Sequence, residues 1–260
     1  MIALEACIDC DDFEKMERSV AAAFAGGAAT LELCGEMEIG GLTPSEEAVR
    51  RSRALFPLKG LMAMVRPRGG GFAYSFREIE AMCGQIDSLG RAGADGVVFG
   101  VLDSREERID EKTLLQLVNA AKDRGLRTTF HRAFDMLRDP MEGLEILVSC
   151  GVDRVLTSGI PWEGRKALLP RKTWLRKVAE RNRGRLEMLV AGGISPENVV
   201  PLLEGILSWG PVGLVHAYSG IRENGETSPR KVALLRERIR GIAEQPRSPQ
   251  KENFPYSPEK

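Results

Sequence analysis

The feature that most limits what this chain can fold into is an alternation. Eight times, a short run rich in Val, Ile, Leu and Met is followed by an amphipathic stretch. The runs are residues 2–7, 30–34, 60–65, 96–100, 126–131, 152–157, 186–191 and 212–216. The amphipathic stretches between and after them are roughly 11–25, 44–55, 75–92, 110–124, 140–150, 165–182, 195–208 and 229–243. Successive runs end roughly thirty residues apart, the length of a strand–helix unit. Parallel strands need crossover helices, and eight right-handed crossovers close a sheet on itself. The pattern therefore predicts an α/β fold, a single (β/α)8 TIM barrel over residues 1–243. The competing fold is an open doubly wound sheet. That fold favours a glycine-rich turn after the first strand, and "EACIDCDDF" has none.

Local signals agree with this parsing. "TPSEEAV" offers Thr43 as a helix cap, Pro44 at the first helical position and Glu46 three residues after the cap. "DPMEGL" and "SPENVV" repeat the theme with Asp139 and Ser195 as caps. Several helices are expected to stop at glycine, as in "AAFAGGA", "LGRAGADG", "KDRGLR" and "SCGVDR".

Composition removes several functions. The chain carries 37 basic and 37 acidic residues, so there is no global basic field for nucleic acid or anionic lipid. No apolar run reaches the roughly 18 residues of a membrane span. The start "MIALEACIDCDDFEK" has no basic n-region and does not read as a signal peptide. Five cysteines, an odd number, without an export signal point to free thiols in a reducing cytosol. Residues 244–260, "EQPRSPQKENFPYSPEK", hold four prolines and few aliphatics, and read as a disordered tail.

A barrel sorts its polar residues. Active sites lie at the C-terminal ends of the strands. Alternate strand residues face the barrel interior. In "ALEAC" and "TLELC", Leu4, Leu31 and Leu33 suit the helix layer, so Glu5, Cys7, Glu32 and Cys34 point inward. Two inward carboxylates on adjacent strands need partners, because an unpaired buried charge is costly. One reading makes them barrel-filling ion pairs with arginine. The other makes them functional. The strand ends favour the second: "VRPRGGGFAYS" supplies Arg66 and Arg68, "FGVLDSREE" supplies Asp103, and "TFHRAFD" supplies His131, Arg132 and Asp135. The sixth, seventh and eighth ends supply Ser158, Gly192 with Gly193, and His216 with Ser219. The chain has only two histidines, and both fall at such ends. Helix starts bind anions through backbone N–H groups, and barrels commonly hold phosphate after strands seven and eight.

Metal chemistry is a separate possibility. Cys7 and Cys10 form one C-x-x-C with no second copy, which excludes a four-cysteine zinc site. Cys7 and Cys34 fall on neighbouring strands, with Met62 and Met64 on the next, and such soft donors suit Cu(I). The alternative is a barrel layer of small and flexible apolar side chains.

Seven motifs, "LELC…GGLTPS", "RPRGGGFAYS", "GVLD", "TFHRAFDM", "RVLTSG", "AGG…PENV" and "VHAYSG", occur in this order. In them the chain resembles the CutC copper homeostasis family, from residue 2 to about 220. Members of that family often carry serines where Ala217 and Tyr218 stand here. The resemblance implies a cytosolic TIM-barrel protein, a homo-oligomer (dimer or tetramer), tied to copper tolerance and able to bind copper. Two expectations stand, the first resting mainly on this resemblance and the second on the residues. In the first, Cys7 and Cys34 bind Cu(I). In the second, an enzyme acts on a small anionic, phosphorylated or sugar-like substrate. There His131 is the general acid/base, oriented by Asp135 or Glu32, with Glu5 as partner carboxylate and His216 as a second acid/base. Arg66, Arg68, Asp103, Arg132, Ser158, Gly192, Gly193 and Ser219 hold the substrate.

Overall fold

The computed structural model describes residues 2–160 and 171–243. Eight parallel strands close into a barrel, each paired with its sequence neighbours and the eighth with the first. They are β1 (Ala3–Asp9), β2 (Thr30–Cys34), β3 (Leu61–Met64), β4 (Gly96–Phe99), β5 (Arg127–Phe130), β6 (Arg154–Thr157), β7 (Glu187–Val190) and β8 (Leu214–Ala217). The helices are α1 (Phe13–Ala25), α2 (Glu46–Leu55), α3 (Phe76–Ala92), α4 (Glu111–Lys122), α5 (Pro140–Ser149), α6 (Arg171–Asn182), α7 (Val199–Leu207) and α8 (Pro229–Ala243). A two-stranded ribbon, β9 (Arg222–Glu223) with β10 (Glu226–Thr227), precedes α8. The expected start of the sixth helix, 165–170, and the tail 244–260 lie outside the described residues.

Two helix starts differ from expectation. Ser45, not Thr43, caps α2: its hydroxyl accepts from Ala48 N at 3.1 Å. The Thr43 hydroxyl instead bonds the backbone N–H and carbonyl of Arg66. Ser195 opens a turn rather than a helix. Its hydroxyl accepts from Glu197 N, and α7 begins only at Val199, after Asn198. Asp139 does cap α5, accepting from Met141 N and Glu142 N.

The period-two alternation builds two layers. Leu4, Leu31, Leu33, Val97, Phe130, Val155, Val190 and Val215 face the helices and form one continuous core with them. The barrel interior divides into two apolar patches. Cys7, Cys34, Met62, Met64 and Val98 fill the side of β1–β4. Leu156, Leu189, Ala191 and Leu214 fill the side of β6–β8. Between them the register sets charged residues level with one another: Glu5 lies opposite Thr30 on β2 and His216 on β8, and Arg154 lies opposite Thr129 on β5.

Candidate functional site

Glu5 is the anchor of the interior. Its carboxylate pairs with the Arg154 guanidinium across the barrel, accepts from Thr30 Oγ1 at 3.0 Å and meets His216 Nδ1 at 3.0 Å. Burial alone would raise this carboxyl, but the Arg154 charge and the His216 hydrogen bond outweigh it and hold it at about 2. Arg154 was not among the sequence candidates. The signal was present: with Val155 facing the helices, Arg154 must face inward.

His216 stands between two carboxylates, its Nε2 lying 3.5 Å from Glu32. Burial lowers its pKa, yet the Glu32 charge and the hydrogen bonds to Cys7 and Glu5 raise it well above the ordinary value. Glu32 is pushed up to about 8, by burial first, against the His216 charge. The two shifts lean on one another, since a protonated Glu32 gives His216 no charge. The ionised Glu5 supports an imidazolium independently, so His216 carries its proton and Glu32 titrates upward.

Cys7 and Cys34 complete this corner, with their sulfurs 4.0 Å apart. That separation is far longer than a disulfide, so both are thiols. The hydrogen bond between them, reinforced by His216, brings Cys7 down to about 6 against burial. Cys34 rises well above its usual value, so the pair shares one proton. The ligand atoms of Cys7, Glu32 and Cys34 all lie within 4.8 Å of one another, a group able to hold a metal ion.

Above this corner a cavity of about 160 Å³ opens among the C-terminal strand ends. Cys7, Glu32, Cys34, Met37, Gly40, Met64, Arg66, Phe72, His131, Arg132, Leu156, His216 and Tyr218 line it. On the far wall from the thiols, His131 Nδ1 accepts from Ala133 N at 3.1 Å. The ring is therefore the tautomer with its proton on Nε2. Burial, then the Arg66 charge, lowers its pKa to about 3, so it is neutral. Phe72 packs against it at 4.9 Å, and the Arg66 guanidinium lies 5.2 Å from the Phe72 ring centre.

The structure thus brings Glu32, Cys7, Cys34, Arg66, Arg132, His131 and His216 into one cavity, with Glu5 behind His216. Other sequence candidates lie elsewhere. Asp135 does not orient His131. Its oxygens accept from Thr157, Ser158, Gly159 and Arg132. Arg68 binds Glu78 and the carbonyls of Gly69, Gly71 and Ala73, bracing its own glycine-rich loop. Arg66 also serves that loop, donating to the carbonyls of Ile39, Gly41 and Gly70. The half-buried Asp103 closes a tight turn by accepting from Glu107 N and Arg108 N. Ser158 bonds Asp135 and Arg132, outside the cavity lining. Gly192 sits against Ser158, where a Cβ would come within 2.7 Å. Gly193 and Ser219 are exposed. Arg171, which no motif marked, donates to the carbonyls of Ser158, Ala191 and Gly192 and fills that end of the barrel mouth.

The CutC family model matches residues 2–210. The copper homeostasis protein cutC homolog of Mus musculus is 38% identical over 202 residues, 78% of this chain and 69% of that protein. A CutC family protein of Bacteroides fragilis (strain YCH46) is 39% identical over 181 residues, 70% of this chain and 69% of its own. Among solved structures, the copper homeostasis protein CutC from Streptococcus agalactiae aligns with a TM-score of 0.71 at 26% identity, covering 85% of this chain and 100% of that one. Tryptophan synthase subunit alpha from Legionella pneumophila, at a TM-score of 0.64 and 14% identity, shares the fold alone. Among the described residues, no helix is long and apolar enough to cross a membrane.

Proposed function

The chain belongs to the CutC family, and from that premise we propose that it handles copper, holding Cu(I) between the thiols of Cys7 and Cys34. One observation carries this reading: the two sulfurs lie 4.0 Å apart in a cavity also lined by Met37 and Met64. Thiolate and thioether donors are the soft ligands that select Cu(I) over harder ions. Cys7, held near 6, is already a thiolate at neutral pH, and only the Cys34 proton need leave when the metal arrives. In this reading the protein works in the cytosol as a homo-oligomer. An anaerobic titration against a chromogenic Cu(I) chelator tests it. The wild type should retain one Cu(I) per chain, and Cys7→Ser with Cys34→Ser should retain none. Equal retention by the two proteins sinks the proposal.

A second reading, acid–base chemistry on a small anionic substrate, draws on the His216 ring set between Glu5 and Glu32 at 3.0 and 3.5 Å. A carboxyl near 8 beside an imidazolium can pass a proton in either direction near neutral pH. Solvent deuterium should enter a bound hydroxycarbonyl compound, and Glu32→Gln should stop it. No exchange with any such compound removes this reading.

A further inference from the structure

The cavity lining includes two buried polar atoms that have no hydrogen-bond partner among the described residues: His131 Nε2, across the barrel from the thiols, and Glu32 Oε1, beside them. Both residues are almost fully buried, at 4% and 3% exposure, and both line the same cavity. Buried polar atoms in native proteins are almost always satisfied, so each such atom calls for an explanation. His131 is fixed in the form that donates. Its Nδ1 is taken by the Ala133 N–H and lies against Gly100, where a Cβ would come within 2.4 Å of it. Nε2 is the nitrogen left for the cavity. Glu32 Oε2 is turned to His216, which leaves Oε1 for the same space.

We propose that this cavity is the binding site of a small 2-hydroxycarboxylate, whose carboxylate oxygen accepts from His131 Nε2–H and whose hydroxyl meets Glu32 Oε1. The pairing follows from the two orphan groups: one must find an acceptor, the other a hydroxyl partner. The cations Arg66 and Arg132 in the lining favour an anion over a neutral hydroxycarbonyl. The size follows from the volume, about 160 Å³, which suits a molecule of two to four carbons. Phe72, packed against the His131 ring at a tilt of 59°, is an apolar neighbour that lowers the local dielectric and so strengthens the hydrogen bond. The site goes beyond the copper reading and needs neither metal nor turnover.

The chain has only two histidines, which makes the test direct. In the full-length protein labelled with 15N-histidine, and with a Cu(I) chelator present, the His131 ring should show its proton on Nε2. Added glycolate should shift that signal saturably. Acetate, which lacks the hydroxyl, should bind five- to a hundredfold more weakly, because it leaves Glu32 Oε1 unpaired. His131→Phe should weaken glycolate at least tenfold by calorimetry, while His131→Gln, which keeps an N–H donor, should restore most of the affinity. The proposal is overturned if the proton sits on Nδ1, if acetate matches glycolate, or if glycolate binds His131→Phe as well as the wild type. The chelator keeps the result independent of copper: a copper titration that fails beside intact glycolate binding counts only against the copper reading.

Discussion

His131 is held neutral by burial and by the nearby Arg66 charge, and this has a consequence for stability. Its folded value of about 3 lies below the roughly 6.5 of an unfolded histidine. A base with a depressed folded pKa contributes stability that is complete above its unfolded value and is lost as pH falls toward its folded one. Phenylalanine at this position has no such dependence. At pH 7, His131→Phe should be the less stable protein by about 1–3 kcal/mol, because the Ala133 N–H loses its acceptor. Between pH 6.5 and pH 4 the wild type should lose on the order of 3 kcal/mol that the variant keeps. Urea denaturation at pH 7 and pH 4 measures both. A gap between the proteins that stays constant with pH would show that His131 is not buried as the neutral base.

At the scale of elements, the strands were legible from alternation alone. All eight appear where the apolar runs predict them, shortened mostly at the ends where chain direction changes, with β1 running on to Asp9. Helix starts were less legible. "TPS" contains two hydroxyls that could cap, and the choice of Ser45 depends on Thr43 being drawn to the end of β3, a long-range contact with no local trace. Two glycines show how closely the elements approach. A Cβ on Gly96 would come within 2.4 Å of the Met62 methyl and 2.6 Å of the Arg127 carbonyl. A Cβ on Gly100 would come within 2.4 Å of the His131 ring and 2.8 Å of Ala133 Cβ. Neither glycine has a positive φ, so the cost of alanine is steric rather than conformational. Gly96→Ala and Gly100→Ala should each destabilise by about 1–3 kcal/mol in chemical denaturation. Only Gly100→Ala should also move the His131 ring signals in a 15N-histidine spectrum. If both variants move them equally, the β4–β5 approach does not position His131.

For the whole molecule, what could be read from sequence was which residues face inward, and what could not was where loops carry them. Glu5, Glu32, Cys7, Cys34 and His216 sit on strands, so alternation and strand order place them together. Arg68, Asp103 and Asp135 sit beyond strand ends, where their partners are loop backbone and remote side chains, and there periodicity has nothing to say. The tie between the two halves of the barrel was also hidden, since Glu5 and Arg154 are 149 positions apart. Through Glu5, this tie links β1 to β2, β6 and β8. Removing Arg154 strips the buried Glu5 carboxylate of its guanidinium and leaves His216 as its charged partner, so Arg154→Met should cost about 3 kcal/mol at pH 7. Glu5 at about 2 lies below its ordinary 4.5, so its contribution is present above pH 4.5 and is lost as pH falls through 2. In Arg154→Met, burial is opposed by His216 without the guanidinium, so the carboxyl takes up its proton at higher pH than in the wild type. The deficit should therefore be largest at neutral pH and shrink toward pH 4. The double variant Glu5→Met with Arg154→Met should be more stable than Arg154→Met alone, since no stranded carboxylate remains. Urea midpoints for the three proteins across pH 4 to 7 decide this. Additive losses in the double variant would mean that the two charges do not act as one strut across the barrel.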